Sequence, residues 1–199
     1  MNKYVGMTLV FVLGFAAVAL AQVSTDNAYQ TRYVANLAQG DSSIRIGNTG
    51  ARGAVPATPG PGGEICANVY SFATTGQMAA CCTCLVPPDG LVSLSVRQDL
   101  LPNGSVFPPP NALMIKLLAS VPVADTCPGP STVNTATLAP GMVAWATTPQ
   151  ASSVFPLVPA FTETPFTPST LSASELTKLA TQCTAIQSGV HFCKACPAS

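Results

Sequence analysis

The sequence predicts a mainly β protein: an antiparallel β-sandwich with one C-terminal α-helix, stapled by disulfides. Three observations lead to this prediction. Several segments alternate apolar and polar residues with the two-residue period of a β-strand. Clusters of glycine, proline, asparagine and aspartate separate these segments, as turns do. Eight cysteines follow an N-terminal segment that has the features of an export signal.

Residues 1–21 predict a secretory signal peptide. Lys3 supplies an early positive charge, residues 5–20 are uncharged and mostly apolar, and Ala19-Leu20-Ala21 precedes Gln22. Signal peptidase accepts such a triplet of small residues, whereas the apolar run is short for a spanning helix. An uncleaved N-terminal anchor is the alternative. We therefore expect a mature chain that begins at Gln22, has no integral membrane segment, and is secreted or held at the cell surface.

The composition limits the classes of partner. Charged residues make up 8% of the chain, and eight basic side chains balance eight acidic ones. A nucleic-acid partner is not expected because a chain of this charge lacks a basic stripe. Low charge also gives little repulsion between copies, so copies of the chain itself are the expected partners.

The organisation along the chain predicts an N-terminal strand segment over residues 22–52 and a linker or loop over 53–63. In the first, Ile44 and Ile46 flank Arg45, as in a strand with one buried face. The linker is rich in proline and glycine, which break regular elements. The N-terminal strands are expected to pair within their own chain, with addition to a neighbour's sheet as the alternative.

Residues 64–199 predict the disulfide-linked β-rich domain. Ile65, Ala67 and Val69 alternate with more polar neighbours and indicate a half-buried strand, and a cysteine-rich strand follows. A third strand would contain Val92 and Val96. With turns at residues 74–77 and 87–90 between them, these strands are expected to form a β-meander.

The later part of the domain predicts two more strands and a helix. Residues 113–118 are apolar on both faces except for a lysine, and residues 141–148 form a short strand that carries Trp145, expected in the core. The proline-spaced residues 149–168 are expected to run extended over the surface. Ser172 and Glu175 form a capping box for a helix over 173–187, whose apolar stripe should pack on a sheet.

All eight cysteines are expected in disulfides, with a pairing that the sequence leaves open. Because side chains alternate along a strand, Cys82 and Cys84 should share one face of it while Cys81 points to the other. We expect at least one bridge between this strand and the C-terminal cysteines. The predicted disulfide cysteines are Cys66, Cys81, Cys82, Cys84, Cys127, Cys183, Cys193 and Cys196.

The motifs of common catalytic and metal sites are missing from the sequence. His191 is the single histidine, which excludes multi-histidine metal sites, and no serine lies in a Gly-x-Ser-x-Gly elbow. The pair Cys193 and Cys196 has redox spacing but follows no βαβ unit, so a structural bridge is favoured. A four-thiolate zinc site with the central cysteines is disfavoured by the export signal. We therefore predict no catalytic residue, no metal and no cofactor.

Five short motifs carry a resemblance to known proteins. They are Ile46-Gly47-Asn48-Thr49-Gly50-Ala51, Ile65-Cys66-Ala67-Asn68-Val69-Tyr70, Cys81-Cys82-Thr83-Cys84, Leu138-Ala139-Pro140-Gly141-Met142 and Cys193-Lys194-Ala195-Cys196. They resemble motifs of a group of secreted, cysteine-rich proteins of soil bacteria that has no established activity. The resemblance implies export and a cysteine framework, and it transfers no catalytic residue.

Three functional hypotheses follow. The first is a secreted, non-enzymatic structural or surface-interaction protein that assembles with copies of itself through strands of residues 26–52. The second is an extracellular binding module for a carbohydrate or small apolar ligand, which requires an exposed aromatic residue, Trp145 or a tyrosine, in a concave site. The third is a secreted hydrolase whose site is assembled in space, with His191 as its best candidate.

Overall fold

The computed structural model describes residues 27–53, 62–101, 110–150 and 160–187 together with Cys196. The predicted signal peptide, most of the predicted linker, His191 and Cys193 lie outside these residues. The described elements are β1 Tyr29–Val34, β2 Ser43–Asn48, β3 Ile65–Ala73, β4 Met78–Val86, β5 Leu91–Ser95, α1 Val96–Asp99, β6 Leu113–Ser120, β7 Met142–Gln150, β8 Ala160–Pro165, β9 Thr167–Pro168 and α2 Ala173–Gln187.

The strands form two antiparallel sheets, which confirms the predicted fold class. The first sheet has the order β4-β3-β6-β1-β9, and the second has the order β5-β2-β7-β8. Every pairing between these strands is antiparallel. The two sheets pack face to face, and α2 covers part of the outer face of the first sheet.

The main core lies between the two sheets. Ile44 and Ile46 of β2 enter it from the second sheet, and Leu113, Ile115 and Leu117 of β6 enter it from the first. All five side chains are fully buried. Each such residue stabilises the fold by roughly 1.5–3 kcal/mol relative to an exposed position, so the alternating patterns fix which face of each strand points inward.

The two strands of the N-terminal segment occupy interior positions in their sheets. β1 lies between β6 and β9, and β2 lies between β5 and β7. The six residues of β1 pair with β6 in one continuous register. In the described chain, both strands therefore pair within the same molecule.

The predicted β-meander is wrong at its third strand. β3 and β4 form a hairpin in the first sheet, but the chain then crosses at Asp89, where φ is 58°, and β5 pairs with β2 in the second sheet. Val96 begins α1 instead of continuing the strand. A turn signal locates a reversal, but the partner of the next strand depends on distant residues.

The prediction of a half-buried strand at residues 65–69 is also incorrect, because all nine residues of β3 are buried. Its inner side contributes Ile65 and Val69 to the main core, while Tyr70 and Phe72 on the outer side lie in a second cluster beneath α2. The sequence does show apolar or small residues on both sides of this strand. Burial on both faces is typical of a strand in the middle of a covered sheet.

Residues 149–168 do more than run over the surface. β7 extends to Gln150, and β8 then adds an edge strand to the second sheet while β9 pairs with β1 in the first. Pro165 and Pro168 are tolerated because, among the described strands, β8 and β9 lie at sheet edges with one side unpaired. Residues 151–159 lie outside the described part.

The C-terminal helix is present, and its apolar stripe packs as predicted. Leu179 and Cys183 are fully buried against the first sheet. Ser172 caps the helix by accepting a hydrogen bond from the Glu175 amide at 3.1 Å. The other half of the expected capping box is replaced: the Glu175 carboxylate accepts from Lys116 Nζ on β6 at 2.5 Å.

Two tyrosines under α2 are held in their neutral form. Burial and, secondarily, the Glu175 carboxylate raise the pKa of Tyr29 from 10.0 to about 12. Burial, with a smaller effect from Tyr29, raises the pKa of Tyr70 above its ordinary value, and the Tyr70 hydroxyl donates to the carbonyl oxygen of Pro130 at 2.7 Å. This cluster fixes α2 and the loop at residues 130–133 on the first sheet.

Candidate functional site

The described cysteines, seven of the eight predicted site residues, are disulfide-bonded. The expected connection between the central strand and the C-terminal cysteines is present twice. The Cα–Cα distances lie within the usual range for disulfides. The three bridges between described residues are Cys66–Cys127, Cys81–Cys183 and Cys84–Cys196, with Cα–Cα distances of 5.5, 5.7 and 5.0 Å.

The two faces of β4 have the cysteine distribution that the sequence predicts. Cys82 and Cys84 face the main core, whereas Cys81 faces the cluster beneath α2 and is bonded to Cys183. Cys82 is also disulfide-bonded. None of the described cysteines carries a free thiol, and no group of three or more potential metal ligands occurs within the described residues.

The candidate functional residues lie on the outer face of the second sheet, which we call the open face. They alternate with the core residues of β2, β5 and β7 or lie on the adjoining strand β8, and several are strongly exposed. Their register brings residues from four distant segments into adjacent rows. The open face consists of Ser43, Arg45, Leu91, Ser93, Val143, Trp145, Thr147, Phe161 and Glu163.

Trp145 belongs to this face, and its predicted place in the core is incorrect. Its side chain is 38% exposed. Met142, Ala144 and Ala146 of the same strand point into the core, so the two-residue period puts Trp145 on the other side. Residue type favoured burial, but the alternation along the strand decided the orientation.

A groove of about 710 Å³ crosses the end of the open face that is nearest α1. The side chains of Ser43, Ser93 and Thr147 contribute hydroxyl groups to it. The Ser43 and Ser93 hydroxyls lie 3.1 Å apart, and Thr147 Oγ1 accepts from the Ser43 amide at 2.8 Å. Phe161, which is 52% exposed, supplies an aromatic wall.

One ion pair spans the groove. Arg45 Nη1 on β2 donates to Glu163 Oε1 on β8 at 2.9 Å, so the arginine side chain reaches over β7. The two side chains are 47% and 46% exposed. An ion pair this exposed contributes little to stability, about 0–1 kcal/mol, and can exchange partners with a ligand at small cost.

Two further carboxylates in the groove already accept hydrogen bonds from other residues of the chain. Asp41 accepts from the Ser95 hydroxyl and from the Arg97 amide at 2.9 Å, and Asp99 accepts from the Ser95 amide at 2.8 Å. These hydrogen bonds fix α1 to the segment that precedes β2. Asp41 and Asp99 therefore shape the groove, while Glu163 and Arg45 present exchangeable polar groups.

This arrangement is suited to binding a polar ligand of low net charge. It combines hydroxyls that donate and accept, a guanidinium that donates, a carboxylate that accepts, and the aromatic ring of Phe161 at one border. Sequence reasoning missed the groove because its residues are far apart in the chain. Alternation did show that Arg45 and Ser93 point away from the core, but the β2–β5 pairing that joins them is visible only in the folded chain.

Comparisons with known proteins add no family to this description. A scan against protein-family models and searches of curated proteins and solved structures found no significant match to the chain. Within the described residues, no helix has the length and apolarity needed to cross a bilayer. The multiple disulfides indicate an oxidising environment, since cytosolic thiols are kept reduced.

Proposed function

We propose that the protein is a secreted, non-enzymatic surface-interaction protein that binds its partner through the open face. The observation that carries the proposal is the exposure of Trp145 and Phe161 beside a groove of about 710 Å³. Export is supported by the signal-like residues 1–21 and by the disulfides.

The outer faces of the two sheets differ in how they are covered, and this difference supports the proposal. The outer face of the first sheet buries Tyr70 and Phe72 beneath α2, which a disulfide fastens to β4. The outer face of the second sheet leaves its large apolar side chains in contact with solvent. Exposed aromatic residues grouped beside polar side chains are typical of interaction surfaces.

The ligand class that fits the open face best is a carbohydrate. Aromatic side chains such as Trp145 and Phe161 pack against the apolar faces of sugar rings, and sugar hydroxyls need both donors and acceptors. Arg45 supplies a hydrogen-bond donor and Glu163 an acceptor, and their opposite charges sum to zero. A neutral polyhydroxylated ligand meets these requirements better than an anion or a cation does.

Self-association by strand addition is a second candidate, and β8 is the strand that supports it. β8 pairs only with β7 among the described strands, and five of its six residues are exposed. An edge strand presents unpaired backbone groups to another chain. The segment 26–52 would be a poor donor, because both of its strands are already paired on two sides.

Affinity electrophoresis through gels containing soluble polysaccharides tests the first candidate. We expect at least one polysaccharide to retard the protein, and we expect Trp145→Ala and Phe161→Ala to abolish the retardation. Tyr33→Ala is the matched control, because Tyr33 is an aromatic residue on the other sheet and is as exposed as Phe161. Retardation by no polysaccharide, or equal loss in the control, would reject carbohydrate binding at this face.

Light scattering of the mature protein over a concentration series tests the second candidate. Assembly through β8 predicts dimers or larger particles that dissociate when Thr162→Lys places a charge on the edge. A monomer at all concentrations would reject strand addition. Assemblies that tolerate this substitution would place the interface elsewhere.

A further inference from the structure

We propose that a second site, the cleft between α2 and the end of the first sheet, binds a small aromatic carboxylate. This site lies on the opposite side of the sandwich from the open face, and it is independent of the function proposed for that face. We call it the lysine cleft. It is lined by Tyr33, Phe72, Ala73, Thr74, Gly76, Met114, Lys116 and Lys178 and has a volume of about 350 Å³.

The apolar wall of the lysine cleft is one row of side chains across three strands. Met114 of β6 is paired with Phe72 of β3 on one side and with Tyr33 of β1 on the other. Exposure rises along this row, from 3% at Phe72 to 38% at Met114 and 52% at Tyr33. The row therefore passes from the cluster beneath α2 into an open cleft.

Two lysines approach the same ring from different elements. Lys116 Nζ lies 4.8 Å from the centroid of Phe72, and Lys178 Nζ of α2 lies 5.4 Å from it. Lys116 is paired with Glu175 at 2.5 Å, and Lys178 forms no ion pair with a described residue. The two ammonium groups and one carboxylate leave the cleft with one net positive charge.

The charge and the shape together specify the ligand. A single negative charge would balance the unpaired ammonium of Lys178, and a carboxylate can accept hydrogen bonds from it. A flat apolar body would cover Met114 and Tyr33, which the fold leaves exposed. The lysine stems also shield Phe72 from water, but this shielding does not account for the open row beyond it.

Binding of 2-naphthoate to the mature protein, measured by isothermal titration calorimetry, tests the proposal. We expect saturable binding, with affinity at least about fivefold lower for the neutral analogue 2-naphthamide. Lys178→Gln should reduce naphthoate affinity by a similar factor, because it removes the charge at an exposed position and keeps the fold. Tyr33→Ser should weaken both compounds, because it removes an apolar wall.

The control is Arg45→Gln, which removes an exposed cation from the open face and should leave naphthoate binding unchanged. Thermal melts of each variant establish that the fold is intact. Equal affinity for the acid and the amide, full affinity in Lys178→Gln, or no saturable binding of naphthoate would each overturn the proposal. The lysine-cleft variants leave the open face unchanged. A negative result for naphthoate therefore does not bear on ligand binding at the open face.

Discussion

Loss of the Cys66–Cys127 bridge is predicted to destabilise the protein more than loss of the Cys81–Cys183 bridge. This order is the reverse of their sequence separations, which are 61 and 102 residues. A disulfide stabilises a fold mainly by restricting the unfolded chain, and the effect grows with the length of the loop that it closes. The relevant loop, however, is the one that remains when the other bridges are intact.

The Cys84–Cys196 bridge shortens the loop that Cys81–Cys183 closes. Three residue steps separate Cys81 from Cys84, and thirteen separate Cys183 from Cys196, so the unfolded chain already joins the pair through about 16 residues. An additional bridge from Cys82 can only shorten this path. The Cys66–Cys127 loop has no shorter route through the other two bridges.

The loop-entropy relation gives about 3 kcal/mol for a loop of roughly 16 residues and about 4.3 kcal/mol for one of roughly 61 residues. The matched variants are the double substitutions Cys66→Ala with Cys127→Ala and Cys81→Ala with Cys183→Ala. All four cysteines are buried, so both variants lose similar packing. Chemical denaturation without reductant measures the free energy of unfolding, and intact mass verifies the remaining bridges. A larger loss of stability in the Cys81 and Cys183 variant would show that the Cys84–Cys196 bridge does not reduce the effect of the Cys81–Cys183 bridge.

Three other predictions concern single positions. Trp145→Ala should lower the free energy of unfolding by less than about 1 kcal/mol, whereas a core tryptophan would cost about 3–5 kcal/mol; urea denaturation distinguishes the two. Asn48→Ala should cost about 2–3 kcal/mol in the same assay, because the buried Asn48 Nδ2 donates to the carbonyls of Gly63 at 2.8 Å and Val86 at 3.0 Å. Because burial raises the pKa of Tyr29 from 10.0 to about 12, the contribution of Tyr29 to stability should be constant well below pH 10 and fall as the pH rises from 10 towards 12, as followed by urea midpoints and phenolate absorbance.

Each of these expectations has a contrary result. A loss above about 3 kcal/mol in Trp145→Ala would place that ring in the core. A neutral Asn48→Ala would show that the carbonyls of Gly63 and Val86 find other donors. Ionisation of every tyrosine with a midpoint near pH 10 in the folded protein would contradict the burial of Tyr29.

Local sequence patterns are sufficient to predict several of the elements, but not α1, β8 or β9. Alternation located β2 and β6, glycine- and proline-containing turns bounded β3 and β4, and Ser172 marked the start of α2. The sequence also determined that Cys81 and Cys82 face opposite sides, because the two-residue period is a property of any extended chain. These features depend on residues that are close in sequence.

Which strands are neighbours, and what covers each face of a sheet, depends on contacts made in the folded chain. The partner of β5, the three cysteine pairs and the bond from Glu175 to Lys116 depend on residues that lie about 50 to 110 positions apart. The position of Trp145 was decided by the register of β7 against β2, since the core accepted Ala144 and Ala146 and left the larger ring outside. The open face and the lysine cleft have the same origin. Packing of the inner faces fixes the strand register, and the side chains that alternate with the core residues then lie on the outer faces of the sheets.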